Sequence, residues 1–173
     1  CCYGGLWCGL DDLSVPQQNG FRLDVLEALR GLPVPLLRWP GGCYADHYHW
    51  RDGIGPAGQR PIRLGMSCGL QVEDDNSLGT HEFLRLCRQL GAEPYLAGNV
   101  GSGTPQELCD WLEYCNTPVA TTLGRERAHD EKTLEGREFD PVGVHLGRIA
   151  QAVEQGLGRR LAEHLEVAHR VDG

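Results

Sequence analysis

Apolar positions along the first two thirds of the chain alternate between a helical and a strand-like pattern. Val25, Leu26, Leu29 and Leu32 recur at helical spacing and predict an amphipathic helix from about Phe21 to Leu32, stopped by Gly31 and Pro33. The apolar run that follows, Val34 to Arg38, predicts a buried strand. A second helix is expected from Thr80 to Leu90, with Thr80 as N-cap, an apolar face of Phe83, Leu84, Cys87 and Leu90, and Gly91 as its stop. Glu93 to Ala97 then reads as a strand. Thr104-Pro105-Gln106-Glu107 opens a third helix as a capping box with proline at the first helical position, and Leu108, Trp111, Leu112 and Cys115 form its buried face. Upstream, Cys1 to Trp7 reads as the end of a strand, Gly4-Gly5 as the start of a loop, and Asp11 to Gly20 as polar and turn-rich. Strand, loop and helix in repeated succession give an α/β class with βαβ units.

Two segments break this rhythm. From Trp39 to Gly79 no clear helix is visible, and so long a connection reads as a functional loop. It begins Arg38-Trp39-Pro40-Gly41-Gly42-Cys43-Tyr44-Ala45-Asp46-His47-Tyr48-His49-Trp50-Arg51-Asp52-Gly53-Ile54-Gly55-Pro56. Pro-Gly-Gly ends the strand, and the aromatic and titratable residues behind it suit a loop on the C-terminal end of a barrel strand. The second break follows Asn116 to Leu123, expected as loop. Past Gly124 aromatics nearly vanish, and His129 to Asp140 is charged without a period. Ile149, Val153, Leu157, Leu161 and Leu165 then recur every fourth position, a helical stripe interrupted by glycines. No β-rich run suggests a further strand there, and a tail packed loosely on the rest is expected.

Composition narrows the partners. A net charge of −8 argues against nucleic acid or an anionic membrane. No apolar run approaches the roughly 20 residues of a membrane span, and no leader peptide is visible. Position 1 is not methionine, so the chain reads as cut at its start. Eight cysteines include no C-x-x-C pair, which leaves a structural zinc site unsupported and favours reduced thiols in a cytoplasmic protein over a disulfide framework.

Three long runs in register resemble the α-L-arabinofuranosidases of glycoside hydrolase family 51. They are the Arg38–Pro56 run, Asn76-Ser77-Leu78-Gly79-Thr80-His81-Glu82-Phe83-Leu84, and Gly91-Ala92-Glu93-Pro94-Tyr95-Leu96-Ala97-Gly98-Asn99-Val100-Gly101-Ser102-Gly103-Thr104. The resemblance covers about residues 1–128. It implies a partial (β/α)8 TIM barrel of about three βα units, followed over 129–173 by an unrelated, mainly helical or disordered tail, because a whole barrel needs about 250 residues. It implies retaining hydrolysis of terminal non-reducing α-L-arabinofuranosides in arabinose-containing oligo- or polysaccharides, without metal or cofactor, in a family that is commonly homo-oligomeric.

Retaining hydrolysis needs two carboxyl groups about 5 to 5.5 Å apart. In the resembled family the acid/base is a Glu directly after an Asn at the end of the fourth strand, and the nucleophile a Glu at the end of the seventh. The chain contains no Asn-Glu dipeptide. Both catalytic residues are therefore expected to be missing and the chain inactive by itself. What the resemblance carries over is part of the sugar-binding wall: Cys43 against the arabinose, and Arg38 beneath it, ordering the loop. The chain departs from the family at His47, where Glu is usual, at Cys68, where a sugar-lining Trp is usual, and at Glu73-Asp74-Asp75-Asn76, one Asp longer. A sugar-contacting Glu expected just before Cys1 is absent.

Other readings of the same residues stay open. A non-catalytic arabinose- or carbohydrate-binding remnant is the main alternative. His47 and His49 beside Asp46 and Asp52 could ligate zinc, although loop histidines more often hydrogen-bond the backbone. Gly98-Asn99-Val100-Gly101-Ser102-Gly103 between a strand and a helix invites a phosphate-binding reading, but its spacing is G-x-x-G-x-G and no acid follows on a second strand.

Overall fold

The computed structural model describes residues 5–12, 14–117, 120–135 and 145–147. Two compact units share the chain: Cys1–Leu37 with Trp50–Pro94, and Arg38–His49 with Tyr95–Gly173.

The first unit opens on a small antiparallel hairpin, β1 (Gln17–Gln18) and β2 (Phe21–Arg22). Asn19 and Gly20 both have positive φ, 55° and 84°, the two-residue turn that matches strand twist. Gly20 is also required by packing, since a Cβ there would collide with the Trp7 ring. Trp7 bridges to Phe21 and meets its ring edge-on at 4.9 Å. Helix α1 spans Leu23–Arg30, shorter than expected at both ends. Phe21 belongs to the hairpin and, like Leu26, is fully buried, whereas Leu32 lies beyond the helix and is exposed.

Within Trp39–Gly79 the structure is more regular than the sequence suggested. Short 3-10 turns occupy Gly42–Asp46, Trp50–Gly53 and Ala57–Gln59. A five-residue antiparallel hairpin follows, β4 (Arg63–Ser67) and β5 (Leu70–Asp74), in the register Ser67↔Leu70 to Arg63↔Asp74. Its turn is Cys68-Gly69, again with both φ values positive. Cysteine in the place usually held by Asn or Asp hid this turn from the sequence reading.

Helix α2 (Thr80–Leu90) and its αL stop at Gly91, φ 65°, lie where the pattern put them. The N-cap is Gly79, however, one residue before Thr80. A Cβ at Gly79 would collide with the Gly53 carbonyl, so only glycine fits. The Glu82 carboxylate accepts the Gly79 N–H at 2.8 Å. It also pairs with Arg60 through two bonds of 3.0 Å, the two side chains being 3% and 0% exposed. Arg60 further donates to the carbonyls of Gly55, Asn76 and Ser77. Asn76, at φ 56°, donates to Pro61 O at 2.7 Å, and its N–H is taken by Asp74 at 3.0 Å. In the Glu73–Asn76 segment, which leads out of β5, Asp74 and Asn76 are therefore buried while Glu73 and Asp75 are exposed.

A three-stranded sheet has the order β3 (Leu36–Trp39), β6 (Glu93–Ala97), β7 (His145–Gly147), with β6 and β7 parallel. Strand β7 stands where no further strand was expected. At three residues, without a β-branched side chain, it left no alternating pattern to read.

In the second unit, α3 runs Pro105–Asn116, and the Thr104 hydroxyl accepts the Glu107 N–H at 3.1 Å as N-cap. Helix α4 (Thr122–Glu135) begins inside the expected loop and runs into the charged stretch as far as Glu135. The boundary expected near residue 128 falls within it. Polar groups hold it. Buried Arg127 donates to the carbonyls of Tyr114 and Cys115 at 3.1 and 2.7 Å, satisfying the C-terminal end of α3. The Tyr114 hydroxyl donates to Asp130 at 2.8 Å, and burial together with that carboxylate pushes the phenol pKa up. An apolar stripe could not have announced a helix packed this way. The stripe from Ile149 to Leu165 lies outside the described residues.

Candidate functional site

Arg38, the last residue but one of β3, is exposed, and its guanidinium lies 4.0 Å from where a Cβ on Gly41 would stand. The chain then passes a cis Trp39–Pro40 bond and Gly42, φ 59°, into the Gly42–Asp46 turn. The N–H of His47 closes that turn on Tyr44 O at 3.0 Å. Tyr44 and Ala45 are buried, while Gly41, Gly42 and Cys43 are exposed. The turn therefore has an anchored inner half and a free outer half, and the Cys43 thiol sits on the outer half.

Aromatic side chains anchor the inner half. Trp39 meets Tyr48 at 4.9 Å and Trp111 at 6.1 Å, both edge-on, and Tyr48 lies 6.0 Å from Tyr44. Trp111 is 1% exposed, so it is core, as expected. Such rings contribute packing area and about 0.5–1.5 kcal/mol per well-placed pair.

The Gly98–Gly103 loop lies against the turn. Ser102 donates to the Asp46 carbonyl from its N–H at 3.1 Å and from its hydroxyl at 3.2 Å. Farther on, His49 Nδ1 stands 2.8 Å from Glu107 Oε1 in the first turn of α3. His49 thus bonds a carboxylate, where a backbone group was the commoner expectation, and His47 is exposed. Asp52 pairs with Arg63 at 2.8 Å. Among the described residues, no group of three or more His, Cys, Asp or Glu side chains is placed to hold a metal ion.

Of the residues expected at the site, Cys43 and Arg38 both lie at the exposed end of β3 and its turn, whereas Cys68 stands at the tip of the β4–β5 hairpin. Sequence reasoning passed over Asn99, Ser102 and Glu107 as partners of the turn. The only signal was the glycine spacing of the second loop. Chemically, the turn offers an exposed thiol, backbone groups and a guanidinium above a base of packed aromatic rings.

The chain matches the family model "Alpha-L-arabinofuranosidase 1 domain" over residues 28–134. It is 53% identical over 141 residues to an intracellular exo-alpha-L-arabinofuranosidase of Bacteroides ovatus, covering 78% of this chain and 27% of that one. It is 50% identical over 153 residues to alpha-L-arabinofuranosidase C of Emericella nidulans, covering 88% and 28%. Among solved structures it resembles the GH51 arabinofuranosidase from Xanthomonas axonopodis pv. citri, with TM-score 0.71, 42% identity, and 82% of this chain against 27% of that one. The arabinose complex of the Thermotoga maritima enzyme gives TM-score 0.65 and 45% identity over 72% of this chain and 26% of that one. The chain therefore spans little more than a quarter of the curated relatives' length. Among the described residues, no helix is long and apolar enough to cross a membrane.

Proposed function

The chain belongs to the α-L-arabinofuranosidases of glycoside hydrolase family 51, and from that premise we propose that it is the N-terminal part of such an enzyme's (β/α)8 barrel. Strands β3 and β6 are then consecutive barrel strands, and the loops that follow them form part of the sugar-binding wall. The parent reaction is retaining hydrolysis of terminal α-L-arabinofuranosides in arabinose-containing glycans. Cys43 meets the arabinofuranosyl ring, and Arg38 orders the turn beneath it. The cytoplasm is the proposed location, in keeping with the Bacteroides relative's name.

The observation that carries this reading is the exposed Cys43 half-turn, pinned from below at the end of β3 in a chain of this family. Active-site residues of this barrel class gather at the C-terminal ends of the strands. The 173 residues contain no Asn-Glu dipeptide, so the chain by itself carries no general acid of the family's kind. We expect it to bind sugar weakly and to hydrolyse nothing.

The test has two arms. Purified chain is incubated with p-nitrophenyl α-L-arabinofuranoside, and release of p-nitrophenol above background refutes the proposed inactivity. In parallel, alkylation of Cys43 by iodoacetamide is followed by peptide mass with and without L-arabinose. Slower alkylation of Cys43 under arabinose, with added glutathione alkylated at an unchanged rate as control, supports the sugar wall. Equal rates at saturating sugar oppose it.

A further inference from the structure

The Gly98–Gly103 run has the look of a phosphate loop, but its groups are engaged elsewhere. Gly98, Gly101 and Gly103 are not in the left-handed region, so backbone handedness does not demand them. Close approach does. A Cβ at Gly98 would collide with Leu108, at Gly101 it would lie 2.6 Å from the Asp46 carbonyl oxygen, and at Gly103 it would lie 2.6 Å from the Asn99 carbonyl oxygen. The Ser102 N–H is shared between Asp46 O at 3.1 Å and Asn99 Oδ1 at 2.9 Å, so it is not turned outward to an anion.

We propose that Asn99 and Ser102 are positioning residues for the Cys43 turn, acting through the Asp46 carbonyl. This rests on the reading that the turn meets the sugar, and adds to it the residues that hold the turn in place.

The hydrogen bonds form an ordered relay. Asn99, 3% exposed, accepts the Ser102 N–H on Oδ1 and donates from Nδ2 to the Ser102 hydroxyl at 3.0 Å. While accepting from Asn99, the Ser102 hydroxyl has Asp46 O as the nearer acceptor for its own proton, at 3.2 Å against 3.4 Å to Asn99 Oδ1. Asp46 is the last residue of the turn that carries Cys43, and the final carbonyls of so short a turn have no partner within it. Ser102 supplies that partner twice. A second tether, His49 to Glu107, fastens the chain just after the turn to the first turn of α3. Glycine at 101 is what lets the two backbones come this close.

The test uses the full chain with Gly101→Ala, Ser102→Ala and Ser102→Thr. Three readouts are followed: hydrogen exchange in the peptide covering 42–49, the alkylation rate of Cys43 with and without L-arabinose, and exchange in α2 with the overall unfolding midpoint. Loss of one ordinary hydrogen bond predicts about tenfold faster exchange over 42–49 in Ser102→Ala, and at least that in Gly101→Ala. Protection of α2 should stay unchanged, and Ser102→Thr, which keeps the hydroxyl, should restore the turn. Weaker protection of Cys43 by arabinose in the two alanine variants, regained in Ser102→Thr, supports the proposal. Unchanged exchange over 42–49 overturns it, as does a loosened turn with undiminished arabinose protection, or loosening of α2 to the same extent. If the turn loosens as expected but arabinose never protects Cys43 in the unaltered chain, the sugar reading fails while the positioning role stands.

Discussion

The Arg60–Glu82 pair makes the sharpest demand on the first unit. Replacing Arg60 with Met leaves a carboxylate that is 3% exposed with its cation gone. It also removes donors from the carbonyls of Gly55, Asn76 and Ser77. Breaking a buried pair from one side costs about 3–5 kcal/mol, because the surviving charge keeps its desolvation penalty. Whole domains are stable by only about 5–15 kcal/mol, so most of the unit's stability is at stake. With a urea slope of about 2 kcal/mol/M, a loss of about 4 kcal/mol moves the unfolding midpoint by about 2 M. Fluorescence of Trp7 and buried Trp50 provides the signal, and a Trp39→Phe/Trp111→Phe background keeps the second unit from obscuring it. The double variant Arg60→Met/Glu82→Leu removes the stranded charge, whose cost exceeds that of the Gly79 N–H it leaves without its carboxylate, but not the loss at the three carbonyls. It should therefore be more stable than Arg60→Met alone, with a coupling of at least about 2 kcal/mol. A midpoint shift under about 0.5 M for Arg60→Met, or simple additivity in the double variant, would refute the reasoning.

Three further outcomes follow from single contacts. Gly79→Ala should cost about 3 kcal/mol or more by urea unfolding, since its Cβ meets backbone at Gly53 and cannot be relieved by a side-chain rotation. Tyr114→Phe should cost about 1–3 kcal/mol by removing the donor that Asp130 receives, and its thermal midpoint should fall accordingly. Burial pushes the Cys87 thiol up from 9.0 to about 12. Its contribution is therefore fully present below pH 9 and declines as pH rises toward 12, by at most about 1.4 kcal/mol per unit. Urea midpoints measured from pH 8 to 11 should fall more steeply for the unaltered chain than for Cys87→Ala, and parallel curves would sink this prediction.

The elements legible in the sequence were those built from apolar periodicity and strong local caps. Helix α2 and strand β6 were found to the residue, and α3 began where Thr104-Pro105 said it would. The misses share one physical cause, reliance on contacts that hydrophobic patterning does not encode. Helix α4 is held by Arg127 on two carbonyls and by Asp130 on a phenol, so its sequence reads as charged and aperiodic. The β4–β5 hairpin alternates respectably, but its Cys68-Gly69 turn carries a residue seldom found at positive φ. The N-cap of α2 moved to Gly79 because Gly53 lies against it, a constraint that comes from residues far away in sequence.

At the candidate site the same distinction explains why the exposed turn was legible and the bonds of Asn99 and Ser102 to it were not. Pro-Gly-Gly after a strand announces a turn, whereas the sugar-binding role expected of Cys43 came from the family resemblance alone. Asn99 and Ser102 belong to a glycine pattern with two physical origins, backbone handedness or close approach, and sequence cannot separate them. A phosphate-binding loop leaves its N–H groups free and turned toward the ligand. Here the glycines bring a neighbouring carbonyl into range, and the Ser102 N–H is consumed by it. Of the three glycines only Gly101 marks two loops packed backbone to backbone; Gly98 makes room for the Leu108 side chain and Gly103 for its own loop. It follows that Gly101→Ala should disturb the Cys43 turn more than Gly103→Ala, whose Cβ meets only its own loop at Asn99. Hydrogen exchange over 42–49 in the two variants checks that order, and a larger effect from Gly103→Ala would reverse the argument.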